Sequence, residues 1–390
     1  MRALGLMSGT SLDGIDAALV DIRPRGDGYA LKPIRFVSEP FAPEMRARLR
    51  AALPPNAPHP AEIAALDGAL GDLFAAAAKN AANGASVDYL ASHGLTLFHR
   101  GEAAQTLQIG DPYRVRDAFG ASVVFDFRRA DCALGGNGAP LVPYVDARLF
   151  ASAQRNVVAL NLGGIANVTV LPRGCTPLDA IAWDTGPGNM LIDALLVRRT
   201  NGAETFDRDG ALAARGKVDA RAVDELVARE AFYLALPPPK STGRERFGDG
   251  FLEAHADVFA RLSLEDGCAT LCAFTVATIG DSLDAYGPPN ARVIASGGGT
   301  HNATLMHFLA ERLARSGCDL ERSNAYGIDP DAKEAIAFAV LGYETLRGRP
   351  ASLPGATGAR HAALLGAIAP SGLEKLLAKI REECTANDPG

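Results

Sequence analysis

At 390 residues the chain is too long for one hydrophobic core and reads as two domains or two lobes. Its 39 basic and 45 acidic residues give a net charge of −6, spread along the chain, which excludes a basic stripe for nucleic acid. Six scattered cysteines without C-x-x-C spacing read as reduced thiols, and the most apolar stretch, 269–280, is a buried helix far too short for a bilayer. The opening MRALGLMSG has too short an apolar run for a signal peptide. A cytoplasmic protein with neither nucleic acid nor membrane as partner is expected.

Residues 3–7 read as a buried strand and 15–22 as its antiparallel return. The stretch MSGTSLDGID at 7–16 is then a hairpin tip, not the strand–GxxxxGK[ST]–helix phosphate loop, which the chain lacks. Gly9, Thr10, Ser11 and Gly14 let backbone N–H groups and hydroxyls approach anionic oxygens. Asp13 and Asp16 make sense there beside Mg²⁺, through water. An ordinary tight turn reads equally well. Prolines at 54–60 mark a loop before an alanine-rich helix at 61–83. His93 and His99 lack a further ligand in register, so no metal site is expected there.

In 126–146, Arg128, Asp131 and Asn137 surround a Gly-Gly pair, forming either a polar substrate wall or a crossover loop. The hairpin pattern recurs at 157–171, with a tip from Asn161 to Asn167, which suggests two related units. Asp184 ends an apolar run before a Gly-Pro-Gly turn and a helix. It is a candidate general base, or merely caps the turn. After the prolines at 237–239, Lys240, Ser241, Thr242, Arg244 and Arg246 form an anion hook or a solvated basic loop. ASGGGTHN at 295–302 follows a short strand and precedes a helix with Leu305, Phe308, Leu309 and Leu313 on one face. A last helix is expected from Asp329-Pro330, with Ile336, Ala339, Val340 and Tyr343 as its buried stripe. Strands interleaved with helices make the class α/β with mixed sheets.

Taken together, the motifs MSGTSLDGIDAAL, SHGLT, TLQIGDP, DFRRAD, GGNGAPLVP, NLGGIAN, WDTGPGN, PPKSTGRE, ASGGGTHN and GIDPDAKEAIAF closely resemble those of the anhydro-N-acetylmuramic acid kinases. The resemblance runs almost end to end. It implies a two-lobed actin/hexokinase-like (ribonuclease H-like) fold, with mixed sheets flanked by helices around a central cleft. The lobes are expected at 1–128, completed by about 343–390, and at 129–342. It also implies ATP and Mg²⁺ as cofactors, an anhydro amino sugar as substrate and a homodimer.

Carried across, Gly9, Thr10, Ser11, Leu12, Asp13, Gly14, Ile15 and Asp16 form a first phosphate loop. Asn161, Gly163, Gly164 and Asn167 form the second, and Gly297, Gly298, Gly299 and Asn302 face the adenosine. Asp184 becomes the catalytic base and Glu334 a supporting residue on the nucleotide side. Arg128, Asp131, Asn137, Gly138, Pro140, Lys240, Ser241 and Arg244 are the substrate-side candidates, while the metal ligands stay unassigned. The implied reaction opens the 1,6-anhydro bridge and phosphorylates O6, in cell-wall recycling. A levoglucosan kinase and a non-catalytic ATP-binding switch are the alternatives. Two departures bear on the sugar: Leu95 and Asn137 stand where the family often has glutamine.

Overall fold

The computed structural model describes residues 1–9, 11–25, 28–54 and 56–385. Two compact units emerge, Met1–Leu149 with Ala332–Gly390, and Phe150–Asp331. The crossings fall at 149/150 and 331/332, where the sequence reading places them at 128/129 and 342/343.

In the first unit, β1 (Arg2–Ser8), β2 (Gly14–Arg25) and β3 (Gly28–Pro40) form an antiparallel meander. Parallel to β1 lies β4 (Tyr89–Arg100), which pairs on with β5 (Gln105–Ile109) and β6 (Ser122–Phe125). A short strand, Ala367–Ala369, adds to β6. One face is covered by the helix Pro60–Ala82, whose Leu66, Leu70, Phe74 and Ala78 recur every four residues. They pack on Leu4, Leu6, Leu19 and Leu90.

The other face takes the helix Lys333–Leu346, which is buried on all sides rather than along one stripe. Gly5 of β1 runs so close to it that a Cβ there would lie 1.7 Å from the carbonyl oxygen of Ala335. Tyr89 adds a cross-link, its hydroxyl donating to the Ala339 carbonyl at 2.7 Å. This helix does not begin at Asp329-Pro330. The Asp329 carboxylate instead accepts the N–H of Asp331 at 3.0 Å, an Asx turn that delays the helix to Lys333.

In the second unit, β7 (Val157–Leu162), β8 (Ile165–Leu171) and β9 (Ile181–Pro187) are again an antiparallel meander. Parallel to β7 lies β10 (Arg292–Ser296), and parallel to that β11 (Asp319–Arg322). The order β9-β8-β7-β10-β11 repeats β3-β2-β1-β4-β6 in sequence and direction. The recurrence of the hairpin in the sequence therefore reflects a repeated sheet. The helix Leu264–Tyr286 is the spine of this unit's core, with Cys268, Cys272, Phe274 and Ile279 buried. Among the described residues no helix is long and apolar enough to cross a membrane.

Candidate active site

The first tip is tied by its own polar atoms. Ser8 Oγ donates to the Gly14 carbonyl at 2.8 Å and Leu12 N–H to the Gly9 carbonyl at 3.2 Å. Phe41 N–H and Arg46 Nη2 both donate to the Asp13 carbonyl, at 3.0 and 3.2 Å. Ser11 and Asp13 are exposed, Gly9, Gly14 and Asp16 half-buried. Leu12 and Ile15 sink their side chains into the core, so only their backbones can serve a ligand. Gly14 is required by space, since a Cβ would lie 2.2 Å from the Glu39 carbonyl oxygen. Thr10 lies outside the described residues.

Three glycine-rich stretches meet in the second unit. The N–H groups of Gly188 and Asn189 donate to the carbonyls of Gly164 (2.8 Å) and Gly163 (2.9 Å), clasping the β7–β8 tip. Gly297, at φ +86°, would put a Cβ 2.9 Å from Asn161 Oδ1, and Gly299 one 3.1 Å from Asn189 Nδ2. Nothing lies within 4 Å of the corresponding point at Gly298, which leaves that backbone open. Asn302 is committed elsewhere: its Oδ1 caps the helix Ala303–Ala314 by accepting Leu305 N–H at 2.9 Å. A Cβ at Gly188 would sit 2.2 Å from the Gly163 carbonyl oxygen. Gly188→Ala is therefore expected to lower stability by about 1–3 kcal/mol, the usual cost of overpacking, as read by denaturant unfolding.

Asp184 lies opposite Asn167 across β8–β9, beside a bulge that leaves Thr185 unopposed. The loop after Pro239 wraps it. Asp184 N–H donates to the Lys240 carbonyl at 3.0 Å, and Asp184 Oδ2 accepts Thr242 N–H at 2.8 Å. Tyr233 Oη donates to the Asp184 carbonyl at 2.9 Å. Burial pushes the Asp184 carboxyl up to about 7, helped by the like charge of Glu245 and opposed by the Thr242 N–H and by Lys240. Lys240 is buried and donates to the carbonyls of Tyr233 (3.3 Å) and Leu234 (2.9 Å). Burial lowers its pKa, partly offset by Asp184. Ser241 and Arg244 are exposed.

The remaining candidates gather in the first unit. Asp131 is fully buried and accepts Gly138 N–H and Thr357 Oγ1–H, each at 2.8 Å. It shapes the 136–138 turn rather than lining an open wall. Asn137 is exposed, its N–H held by the Thr357 carbonyl at 2.7 Å, and Pro140 follows a cis peptide. Arg128 donates from Nη1 to the Gly138 carbonyl (2.8 Å) and from Nε to His93 Nε2 (2.9 Å). Glu334 stands close in charge to Arg128. Burial raises its pKa, and Lys333 and Arg128 pull it back against Asp16 and Asp146. Lys333 itself is locked to Asp146 in a buried pair at 3.0 Å. Leu95 has no exposed surface. Among the described residues no three His, Cys, Asp or Glu side chains gather as a metal cluster.

Sequence reasoning missed the role of Asn189 and of Thr242 N–H, and read His93 only against metal binding. The signal for His93 was its place in SHGLT at the end of a buried strand. A polar ring there needs a partner.

A family model described as "Anhydro-N-acetylmuramic acid kinase" matches residues 1–371. The chain belongs to this family. A curated anhydro-N-acetylmuramic acid kinase of Rhodococcus erythropolis is 45% identical over 95% of this chain and 94% of its own length. One of Streptomyces coelicolor is 42% identical over the same shares. Among solved structures, a ROK family glucokinase from Streptomyces griseus in complex with glucose and AMPPNP is 13% identical, with a TM-score of 0.40 over 87% of this chain and 98% of that one. Membership in a kinase family matched across 371 residues makes the chain a sugar kinase that uses ATP.

Proposed function

We propose that the chain uses ATP to convert 1,6-anhydro-N-acetylmuramic acid into N-acetylmuramic acid 6-phosphate and ADP, in cytoplasmic cell-wall recycling. Asp184 takes a proton from a water that attacks carbon 1. The C1–O6 bond breaks, and O6 takes the γ-phosphoryl group as ADP leaves. Capture of O6 by phosphorus spares it a separate protonation. The observation that carries this reading is the Asp184 carboxyl. It is pushed up to about 7, with one oxygen occupied by Thr242 N–H and the side chain still partly open. A base of that strength suits proton abstraction near neutral pH.

Both hairpin tips are assigned to the ATP phosphates, and the open backbone of Gly298 supports the adenosine side. Asp16 weighs on Glu334 as a like charge, so two carboxylates lie near each other, and carboxylate oxygens are what a hard cation prefers. These residues would hold Mg²⁺, which when bound spreads charge on the phosphoryl oxygens. For the lactyl carboxylate we favour Arg128. The donors of Lys240 go to two backbone carbonyls, and Arg244 lies exposed.

The test is ATP-dependent turnover in ¹⁸O-labelled water, with levoglucosan in parallel. The expected result is label at carbon 1 and phosphate on O6 of muramic acid. Turnover of levoglucosan alone moves the substrate and keeps the chemistry. No ADP from either sugar overturns the reading.

A further inference from the structure

Arg128 is fixed at two of its three nitrogens, by the Gly138 carbonyl and by the ring of His93. An arginine Nε carries a hydrogen and no lone pair to share, so His93 Nε2 must accept. The ring proton then sits on Nδ1, which donates to its neighbour's carbonyl, that of Gly94, at 3.0 Å. Both ring nitrogens are thereby assigned, and the imidazole is neutral. Burial and the charge of Arg128 hold its pKa well below the ordinary histidine range, so it stays an acceptor at neutral pH. The ring is 4% exposed and lies against Phe338, centroids 4.6 Å apart. Its position is set by packing as well as by hydrogen bonds.

The third nitrogen of Arg128, Nη2, has no hydrogen-bond partner among the described residues. Glu334 and Asp131 are the anions nearest in effect, with the Cys132 thiol beside them. A guanidinium recognises a carboxylate through its planar fork, so the direction of the plane matters as much as the charge. Without an acceptor at Nε, the group keeps its charge and loses its aim.

We propose that His93 is a positioning residue that turns the Nη2 edge of Arg128 toward the substrate carboxylate, and so sets the preference for an acidic over a neutral anhydrosugar. The inference rests on the assignment of Arg128 to the lactyl carboxylate made above. His93 touches no reacting atom; it acts through Arg128.

The experiment compares the full chain with His93→Phe, His93→Gln and Arg128→Met. Each is assayed on 1,6-anhydro-N-acetylmuramic acid and on 1,6-anhydro-N-acetylglucosamine, which has the same bridge and acetamide but no lactyl acid. Phenylalanine keeps the packing on Phe338 and removes the acceptor. His93→Phe is expected to raise KM for the acidic sugar about tenfold or more, the loss typical of a hydrogen bond to a charged group. Its kcat should stay within about threefold, and kcat/KM for the neutral sugar should hold. Glutamine places an amide oxygen near the site of Nε2, so His93→Gln should restore most of the preference. Should His93→Phe not fold, His93→Asn takes its place, because its amide falls short of Arg128 and the same loss is expected.

Equal losses on both sugars would make His93 merely structural and overturn the inference. An unchanged preference in His93→Phe, with a collapsed one in Arg128→Met, would overturn it and leave the Arg128 assignment standing. An unchanged preference in Arg128→Met would remove that assignment, and this inference with it.

Discussion

Asp184→Asn is expected to lose about 10²–10⁴-fold in turnover, the usual contribution of a positioned base. The fold and ATP binding should survive, because Asn keeps an oxygen for the Thr242 N–H. The pH dependence gives a second reading. A base must be ionised to act, and this carboxyl is pushed up to about 7. In the parent, kcat/KM should therefore rise with pH to about 7 and level off above it. The residual rate of the variant should lack that limb. Near-normal turnover would remove Asp184 from the mechanism.

Stability has the opposite sign. The folded carboxyl holds its proton up to about 7, whereas an unfolded aspartate releases it near 4. Its contribution is fully present below about 4 and is lost as pH rises through about 7. Asparagine has no proton to lose. At about pH 8 the variant should thus melt at or above the temperature of the parent, and a lower melting point would count against a buried, proton-holding Asp184.

Gly5→Ala is the second large expectation, and it concerns folding. A Cβ would be 1.7 Å from the Ala335 carbonyl oxygen and 3.0 Å from the Ala339 nitrogen, both backbone atoms of one helix. A flexible side chain can rotate away; the backbone of a helix buried on every side cannot. The cost should exceed the roughly 1–3 kcal/mol of ordinary overpacking and unfold the first unit in mild denaturant. By contrast Gly298→Ala, with nothing within 4 Å, should change stability little. A Gly5→Ala protein within about 1 kcal/mol of the parent, by the linear-extrapolation method, would deny the close approach.

The hairpins at 3–22 and 157–171 and the helices at 61–83 and 269–280 were legible because their signals are local. Apolar period and turn chemistry suffice for these. The recurrence of the hairpin was legible for the same reason, and the strand order shows that it belongs to a repeated sheet, whose third meander strands the sequence reading did not find. Other features depend on contacts distant in sequence. Thr242 reaches Asp184 across 58 positions and His93 reaches Arg128 across 35, and no window of sequence displays such pairs. The helix Lys333–Leu346 looked amphipathic, but tertiary packing buries its other side too. Its start was misread because Asp329-Pro330 serves a turn as well as a cap. Lys240 reads as an anion hook from its neighbours, while in the structure its ammonium closes on carbonyls six and seven residues back. Leu12 and Ile15 belong to the first loop by position and to the core by side chain.

The first unit is assembled from both ends of the chain, whereas the second is one continuous stretch. During synthesis on the ribosome six of the seven strands of the first sheet emerge early, and the helix that covers one of their faces only after the entire second unit. The second unit can close on itself in that interval. The face of the first sheet that carries Gly5, Tyr89 and Ala91 stays uncovered until then, an apolar surface open to chaperones and to wrong partners. The waiting time, not the final packing, is where this fold is most exposed to aggregation.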